Sequence, residues 1–235
     1  MSKPEGAQWQ LGRRHSPSVA SGTLLLVPVG SCEQHGPHLP LDTDTRIAVA
    51  VANALADRLH TEHEPALVAP AVTIGASGEH TGFAGTLSVG TDVLANVLIE
   101  IVRSAGPEFA TIVFVNGHGG NGEAVHRATS TSTADGHDHV LAVHMTGFAD
   151  AHAGVSETSL MLYLHPELVG PLRPVGVVEP LANLLPAMRQ RGVRSVTENG
   201  VLGDARDASN DQGERLFDSI VTHCLAIVMA HAAAS

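Results

Sequence analysis

Residues 23–44 read TLLLVPVGSCEQHGPHLPLDTD, and this stretch decides the fold of the 235-residue chain. Its apolar first part, residues 23–29, predicts a buried strand that ends in a turn at Gly30. Residues two apart in an extended chain point the same way, so Glu33 and His35 can address one point in space. Carboxylate and imidazole ligands together suit Zn, Mn or Fe. The stretch therefore indicates a metal site at a strand end, with a solvated polar loop as the alternative.

The rest of the chain alternates between strand and helix patterns. Further strands are predicted at residues 66–73, 111–115 and 139–144. Helices are predicted at residues 44–59, 91–105, 122–134, 157–164 and 212–233. Asp42 or Thr43 is expected to cap the first of these helices. Strands that alternate with helices indicate an α/β fold, in which a mostly parallel sheet carries helices on both faces.

One domain is expected over residues 1–235, because no internal repeat, low-complexity tract or linker interrupts the pattern. Residues 1–21 are polar and are expected to be loosely ordered. Residues 166–203 are punctuated by Pro and Gly, which predicts an irregular excursion on the surface.

The composition limits the partners and the compartment. A net charge of −11 with 13 basic residues and no basic run excludes a nucleic-acid partner, whose phosphates need a positive footprint. No run of about 18 apolar residues is present, so we expect no membrane-spanning helix. Two cysteines, Cys32 and Cys224, cannot build a disulfide framework, and we therefore expect the reducing cytoplasm.

The predicted sheet also locates the site. Ligands of open α/β sheets bind beyond the carboxyl ends of the strands. The loop after Val29, the loop after Val115 and the loop after the fourth strand lie at such ends. We expect their His, Asp and Glu side chains to converge.

His118 lies in the sequence GHGGNG, residues 117–122, directly after a predicted strand. Flanking glycines allow a close approach of the backbone to a ligand. The same letters satisfy G-x-G-x-x-G, the dinucleotide-binding fingerprint, which wants an acidic residue at the end of the next strand. That strand ends instead in His144-Met145-Thr146, so metal binding is favoured and dinucleotide binding is the rival interpretation.

Four blocks of the sequence resemble the creatininase family of metal-dependent amidohydrolases, in the order that this family has them. They are residues 30–40, 79–86, 116–121 and 152–159, with a weaker match at residues 200–204. The resemblance implies an amide-cleaving enzyme that forms a homo-oligomer, commonly hexamer-like. Residues 39–48 are most similar to a branch of the family whose members cut a modified precursor peptide.

The resemblance also implies two divalent metal ions per chain, Zn, Fe or Mn. Glu33 and His118 would bind one ion, His35 would bind the other, and Asp44 would bridge them. Creatininase has a ligating Glu at the position of Gly120. We expect Glu157 to replace it, so the implied ligand set is Glu33, His35, Asp44, His118 and Glu157.

The remaining roles follow from the same resemblance and from the chemistry of the residues. His152 matches the catalytic histidine, and we expect it to act with Glu157. Substrate would contact Ser77, Gly119 and Gly120. Glu79 and His80 would orient the ligating side chains from behind.

The sequence is compatible with three functions. The resemblance favours a peptidase that releases a Val-Tyr-derived fragment from the C-terminus of a modified precursor peptide. The alternatives are a small-molecule amidohydrolase with a creatinine- or formamide-type substrate, and a metal-binding scaffold without catalysis.

Overall fold

The computed structural model describes residues 8–106 and 108–233. Within these ranges, one sheet contains the four strands β1 (Thr23–Val29), β2 (Ala66–Val68), β3 (Phe109–Asn116) and β4 (Val140–His144). The α-helices are α1 (Thr43–Thr61), α2 (Gly90–Ala105), α3 (Gly122–Ala134), α4 (Val155–Leu164), α5 (Leu181–Arg191) and α6 (Asn210–Ala232). All strand pairs are parallel and follow the order β2-β1-β3-β4, which confirms the predicted fold class.

The pairing register brings the carboxyl ends of the strands to one edge. Val29 pairs with Asn116, and Asn116 pairs with His144. The chain leaves β1 to form α1 and then β2 on one side of it, whereas β3 and β4 lie on the other side. The crevice between the ends of β1 and β3 is therefore the point at which such sheets bind ligands.

Helices cover both faces of the sheet, because each has one apolar stripe to bury. On one face, Val51 of α1 and Leu160 of α4 lie in one buried cluster with the apolar face of α6. On the other face, Leu98 of α2 and Val125 of α3 lie in a second buried cluster with Phe114 of β3. The central strand β1 is buried along its whole length, which explains its continuous apolar run.

Helix α6 is long and apolar enough to cross a membrane by length and composition alone. In this fold it packs Phe217, Ile220 and Cys224 into the same buried cluster as α1 and α4. A single helix of this kind is weak evidence for a membrane span, and one stripe of α6 is buried against the domain.

The structure differs from the sequence prediction in two places. β2 ends at Val68 because Pro70 cannot continue the ladder, and Val72 returns as an isolated bridge to Val29. The segment 166–203, predicted to be irregular, contains the 11-residue helix α5. Pro186 lies inside α5, and the helix continues past it to Arg191.

The N-terminal segment contacts α1. Residues 1–7 lie outside the described residues, whereas residues 8–18 are tied to the domain. Trp9 stacks on His60 with ring centroids 3.5 Å apart, and its indole donates a 2.5 Å hydrogen bond to Asp57. This aromatic anchor attaches the described part of the N-terminal segment to α1.

Candidate metal centre

Five predicted ligands converge at the carboxyl edge of the sheet. Glu33 and His35 come from the loop after β1, and His118 follows β3. Asp44 and Glu157 lie in the first turns of α1 and α4. All five side chains are buried, and the strands β1 and β3, which Glu33, His35 and His118 follow, are neighbours in the sheet. The convergence that the topology predicted is present.

Asp44 lies between two imidazoles and contacts each with a different oxygen. Its Oδ1 is 3.1 Å from Nε2 of His35, and its Oδ2 is 3.1 Å from Nδ1 of His118. The hydroxyl of Ser31 also donates to Oδ2 at 2.8 Å. The neighbouring histidines hold the pKa of Asp44 well below its usual range, although burial acts in the opposite direction. Asp44 is therefore a buried carboxylate that can face two cations at once.

The ring of His35 has a fixed orientation. Its Nδ1 lies 3.1 Å from the carbonyl oxygen of Glu33, which can only accept a hydrogen bond, so Nδ1 carries the proton. Nε2 then points at Asp44, and lies 3.8 Å from Oε2 of Glu157. Burial would lower the pKa of His35, but the Asp44 carboxylate raises it to about 10. This environment attracts a cation to Nε2, either a proton or a metal ion.

Glu157 joins the His35 side of the centre. Its Oε2 accepts a 2.5 Å hydrogen bond from the backbone N–H of Ala153, which fixes the carboxylate. Burial raises the pKa of Glu157 to about 7, with His35 acting in the opposite direction. Glu157 therefore places a carboxylate beside Nε2 of His35.

Glu33 is fully buried among imidazole rings. Both of its carboxylate oxygens, and Nε2 of His118, make no hydrogen bond within the described part of the chain. Oε2 of Glu33 nevertheless lies 3.1 Å from that Nε2. Burial raises the pKa of Glu33 to about 8, although His118 lowers it. A buried carboxylate without hydrogen bonds is costly, and a cation between Glu33 and His118 would remove the cost. The residues present thus fit a metal ion.

The structure adds a carboxylate that sequence reasoning assigned a different role. Oε1 of Glu79 lies 3.3 Å from Nε2 of His118, so Glu79, Glu33 and His118 form one potential ligand group. A Cβ atom at Gly120 would collide with this same oxygen and with the His118 ring. Glu79 therefore occupies the space into which a side chain at position 120 would project. The signal in the sequence was the glycine itself, which leaves room for a side chain from another loop.

His152 and His80 lie at the edge of this cluster. Nδ1 of His152 is 3.8 Å from Oε1 of Glu33 and 4.0 Å from Oε2 of Glu157. Nε2 of His80 is 3.3 Å from Oε1 of Glu33. Burial lowers the pKa of His80 to about 4 and the pKa of His152 well below its usual range. Both imidazoles are therefore neutral near pH 7.

A cleft of about 640 Å³ opens above the centre, and its walls differ in character. The polar wall includes Asp44, Glu79, His118 and the two glycines 119 and 120. The apolar wall is formed by Met145, Phe148, Leu181, Leu185, Met188 and Leu202. Ser77, predicted to bind substrate, is fully buried and does not line this cleft.

The dinucleotide interpretation of residues 117–122 fits this geometry poorly. His118 points into the carboxylate cluster, and Gly119–Asn121 form a 3-10 turn before α3 begins. The cleft beside this turn is lined by the carboxylates of Asp44, Glu79 and Glu123. These negative charges would repel a pyrophosphate, which binds helix N-termini in a positive field.

The sequence and the fold both have known relatives. Residues 14–228 match a family model named creatininase and described as creatinine amidohydrolase. The chain is 48% identical over 223 residues to the mycofactocin precursor peptide peptidase of Mycobacterium tuberculosis, with 92% of this chain and 89% of that protein covered.

Solved structures of creatininases are similar to this fold. One described as creatininase Mn matches with a TM-score of 0.74 and 26% identity, covering 94% of this chain and 97% of that one. A creatininase mutant described as the Zn-Zn type matches with a TM-score of 0.66 and 27% identity, covering 88% and 90%.

Proposed function

The chain belongs to the creatininase family, and we propose that it is a metal-dependent peptidase that acts on the mycofactocin precursor peptide. It would cut the modified precursor near its C-terminus and release the Val-Tyr-derived fragment. The observation that carries the proposal is the buried run of contacts from Glu33 through His118 and Asp44 to His35, at the floor of an open cleft. The relatives of similar sequence supply the substrate class.

We propose that two divalent ions bind at this floor. Glu33 and His118 would hold one, and His35 and Glu157 would hold the other, with Asp44 between them. The unpartnered oxygens of Glu33 and the unpartnered Nε2 of His118 support the first position. The 3.8 Å approach of Glu157 to Nε2 of His35 supports the second. Carboxylate and imidazole donors accept Zn, Mn and Fe alike.

Bound divalent ions would supply a nucleophilic water at neutral pH and would polarise the amide carbonyl. The protein groups would do the rest. His152 is neutral and buried, so it can take a proton at Nδ1 and return it to the leaving amine. Glu157, within 4.0 Å of that nitrogen, would stabilise the imidazolium.

The cleft supports a peptide substrate with apolar side chains. Gly119 and Gly120 project no side chain into it, which leaves room for an extended backbone. The apolar residues that line the cleft, among them Leu185 and Met188 of α5, suit a valine or a tyrosine-derived ring.

The test combines elemental analysis with mass spectrometry of the cleaved peptide. We expect close to two ions per chain after equilibration with Zn, Mn or Fe(II), and release of the C-terminal fragment from the modified precursor. His152→Asn should retain the metal and lose cleavage. The matched control His126→Asn, which replaces an exposed histidine on α3, should retain both.

Other outcomes would contradict the proposal. If the C-terminal fragment is not released with Zn, Mn or Fe(II), the peptidase assignment is wrong. Hydrolysis of creatinine or formamide in its place would favour a small-molecule amidohydrolase. A chain that takes up no metal would favour a scaffold without catalysis.

We further propose that the enzyme works in the cytoplasm as a homo-oligomer, hexamer-like as the family resemblance implies. An apolar stripe on α2 and the loop before it supports self-association, since Leu87, Val93 and Val97 are each more than 40% exposed. Light scattering coupled to size exclusion measures the mass in solution. A monomer at micromolar concentration would contradict this proposal.

A further inference from the structure

The side chain of Gln34 is buried between His80 and His152, the two histidines of the site that are not among the expected ligands. Its orientation is determined by its neighbours. Its Oε1 accepts a 2.9 Å hydrogen bond from the backbone N–H of Gly36. Its Nε2 donates at 2.9 Å to the carbonyl of Gly200. The first partner can only donate and the second can only accept, so the amide has one permitted orientation. Gly200 has a positive φ of 82°, and a Cβ there would collide with Oε1 of Gln34.

The second hydrogen of this amide determines the state of His80. Nε2 of Gln34 lies 2.9 Å from Nδ1 of His80, and the amide nitrogen has no lone pair to offer. Nδ1 of His80 must therefore accept, so the ring proton sits on Nε2. That N–H faces Oε1 of Glu33 at 3.3 Å. His80 thus presents a donor to the carboxylate and no lone pair to a metal ion.

The backbone of the same residue determines the state of His152. Nε2 of His152 is 2.8 Å from the carbonyl oxygen of Gln34, which can only accept. The proton of His152 therefore also sits on Nε2. The Gln34 amide is 3.1 Å away, but both of its hydrogens are already used. Nδ1 of His152 is left with its lone pair, facing Glu33 and Glu157.

We propose that Gln34 is a positioning residue that holds both histidines in the Nε2–H tautomer, so that His80 turns its N–H toward Glu33 while His152 offers a lone pair to the reaction. Both rings carry their proton on Nε2. His80 faces the site with that N–H, whereas His152 faces it with the lone pair of Nδ1. His80 then orients the Glu33 carboxylate and does not bind a metal ion, although its Nε2 lies close enough to the centre to do so.

This inference rests on the proposed function only for its catalytic consequence. In an amide hydrolysis, the attacking water adds its oxygen to the carbonyl carbon and its proton passes to Nδ1 of His152. The same proton passes to the leaving nitrogen when the C–N bond breaks, which gives a carboxylic acid and an amine. The Nε2–H bond to the Gln34 carbonyl persists throughout, so the ring stays aligned in both steps.

The test uses the metal-free full-length protein with ¹⁵N-labelled histidine rings. Long-range proton–nitrogen correlation spectra above pH 7 show which ring nitrogen carries the proton, and His80→Asn and His152→Asn assign the signals. We expect both rings in the Nε2–H form. Gln34→Glu, whose carboxylate cannot donate, should move His80 to the Nδ1–H form and leave His152 unchanged. The control Gln190→Glu, on the exposed side of α5, should change neither ring.

The wild-type spectrum decides the matter even if Gln34→Glu fails to fold. A proton on Nδ1 of either neutral ring would overturn the inference, and so would a folded Gln34→Glu variant with an unchanged His80. In the metal-loaded enzyme, Gln34→Glu should lower kcat by roughly 10–100-fold at unchanged metal content. Because the spectra need no substrate, a failure of the proposed function would leave the tautomer result intact.

Discussion

The floor of the cleft is polar and its α5 wall is apolar. We use floor for the five expected ligands, Glu33, His35, Asp44, His118 and Glu157. The floor consists of buried side chains at strand ends and helix starts. Ser31 and Ala153 donate hydrogen bonds to its carboxylates, and the Glu33 carbonyl accepts one from His35. Much of the wall comes from α5, whose Leu185 and Met188 are only half-buried. The floor is rigid because its polar groups have few permitted arrangements, whereas apolar contacts in the wall tolerate rearrangement.

This difference separates two tasks. Chemistry requires ligands held within a fraction of an ångström, and the sheet edge provides that precision. Substrate choice requires a surface that can change without disturbing the ligands, and α5 provides it. Changes in the floor should therefore abolish activity, and changes in the wall should alter affinity.

The largest effect is expected from Asp44→Asn. Asn keeps the shape but loses the charge that faces both His35 and His118, so we expect weaker metal binding and kcat/KM lower by roughly a thousandfold. Metal content and kinetics measure it. The control Asp42→Asn makes the same change two residues earlier, at the partly exposed N-cap of α1. It weakens only a surface ion pair with Arg46 and should stay near wild type. A metal-replete, active Asp44→Asn variant would break the distinction between floor and wall.

A smaller effect is expected from Glu79→Gln, which tests whether this loop carboxylate belongs to the floor. Since its Oε1 lies 3.3 Å from Nε2 of His118, we expect metal affinity to fall by roughly 10–100-fold. Competition with a chelating dye measures the affinity. Glu123→Gln removes a carboxylate from the same cleft wall, outside the ligand groups. Equal losses in the two variants would mean that only the general negative field matters.

Met188→Ala should act on the wall alone. It removes apolar contact area from the cleft, so we expect KM for the peptide to rise by up to about tenfold, with kcat and metal content unchanged. Leu172→Ala, a truncation at an exposed site in the same excursion, is the control. A fall in kcat without a change in KM would show that α5 positions the reacting groups.

The smallest effect concerns His38, which lies beneath the floor and bonds Oγ1 of Thr158 at 2.8 Å. Burial lowers its pKa to about 4, below the value of about 6.5 in an unfolded chain. The folded state therefore resists protonation, and stability is lost as the pH falls from about 6.5 to about 4. His38→Asn should flatten this part of the acid unfolding curve and leave activity near pH 7 unchanged. An unaltered curve would mean that His38 does not contribute.

The sequence predicted the floor far better than the wall. The bounds of β1 and the pair Glu33 and His35 followed from local patterns, because apolar runs and strand ends are short-range features. The full set of five expected ligands came from the family resemblance. The roles of Glu79 and Gln34 depend on contacts between loops that are distant in sequence. Glu79 fills the space beside Gly120, and Gln34 contacts His80. Helix α5 escaped prediction because Pro186 and the surrounding glycines mask a short helix.

The packing of α6 has a consequence for the order of events during synthesis. Glu157 lies at the start of α4, which shares its buried cluster with Phe217 and Ile220 of α6. A ribosome-bound chain that lacks its last helix leaves that apolar surface exposed to water, and α4 has no partner there. The ligands are contributed by widely separated segments, and metal sites rarely exist before the chain folds. Metal uptake should therefore be post-translational, and a chain truncated before α6 should emerge unable to take up metal.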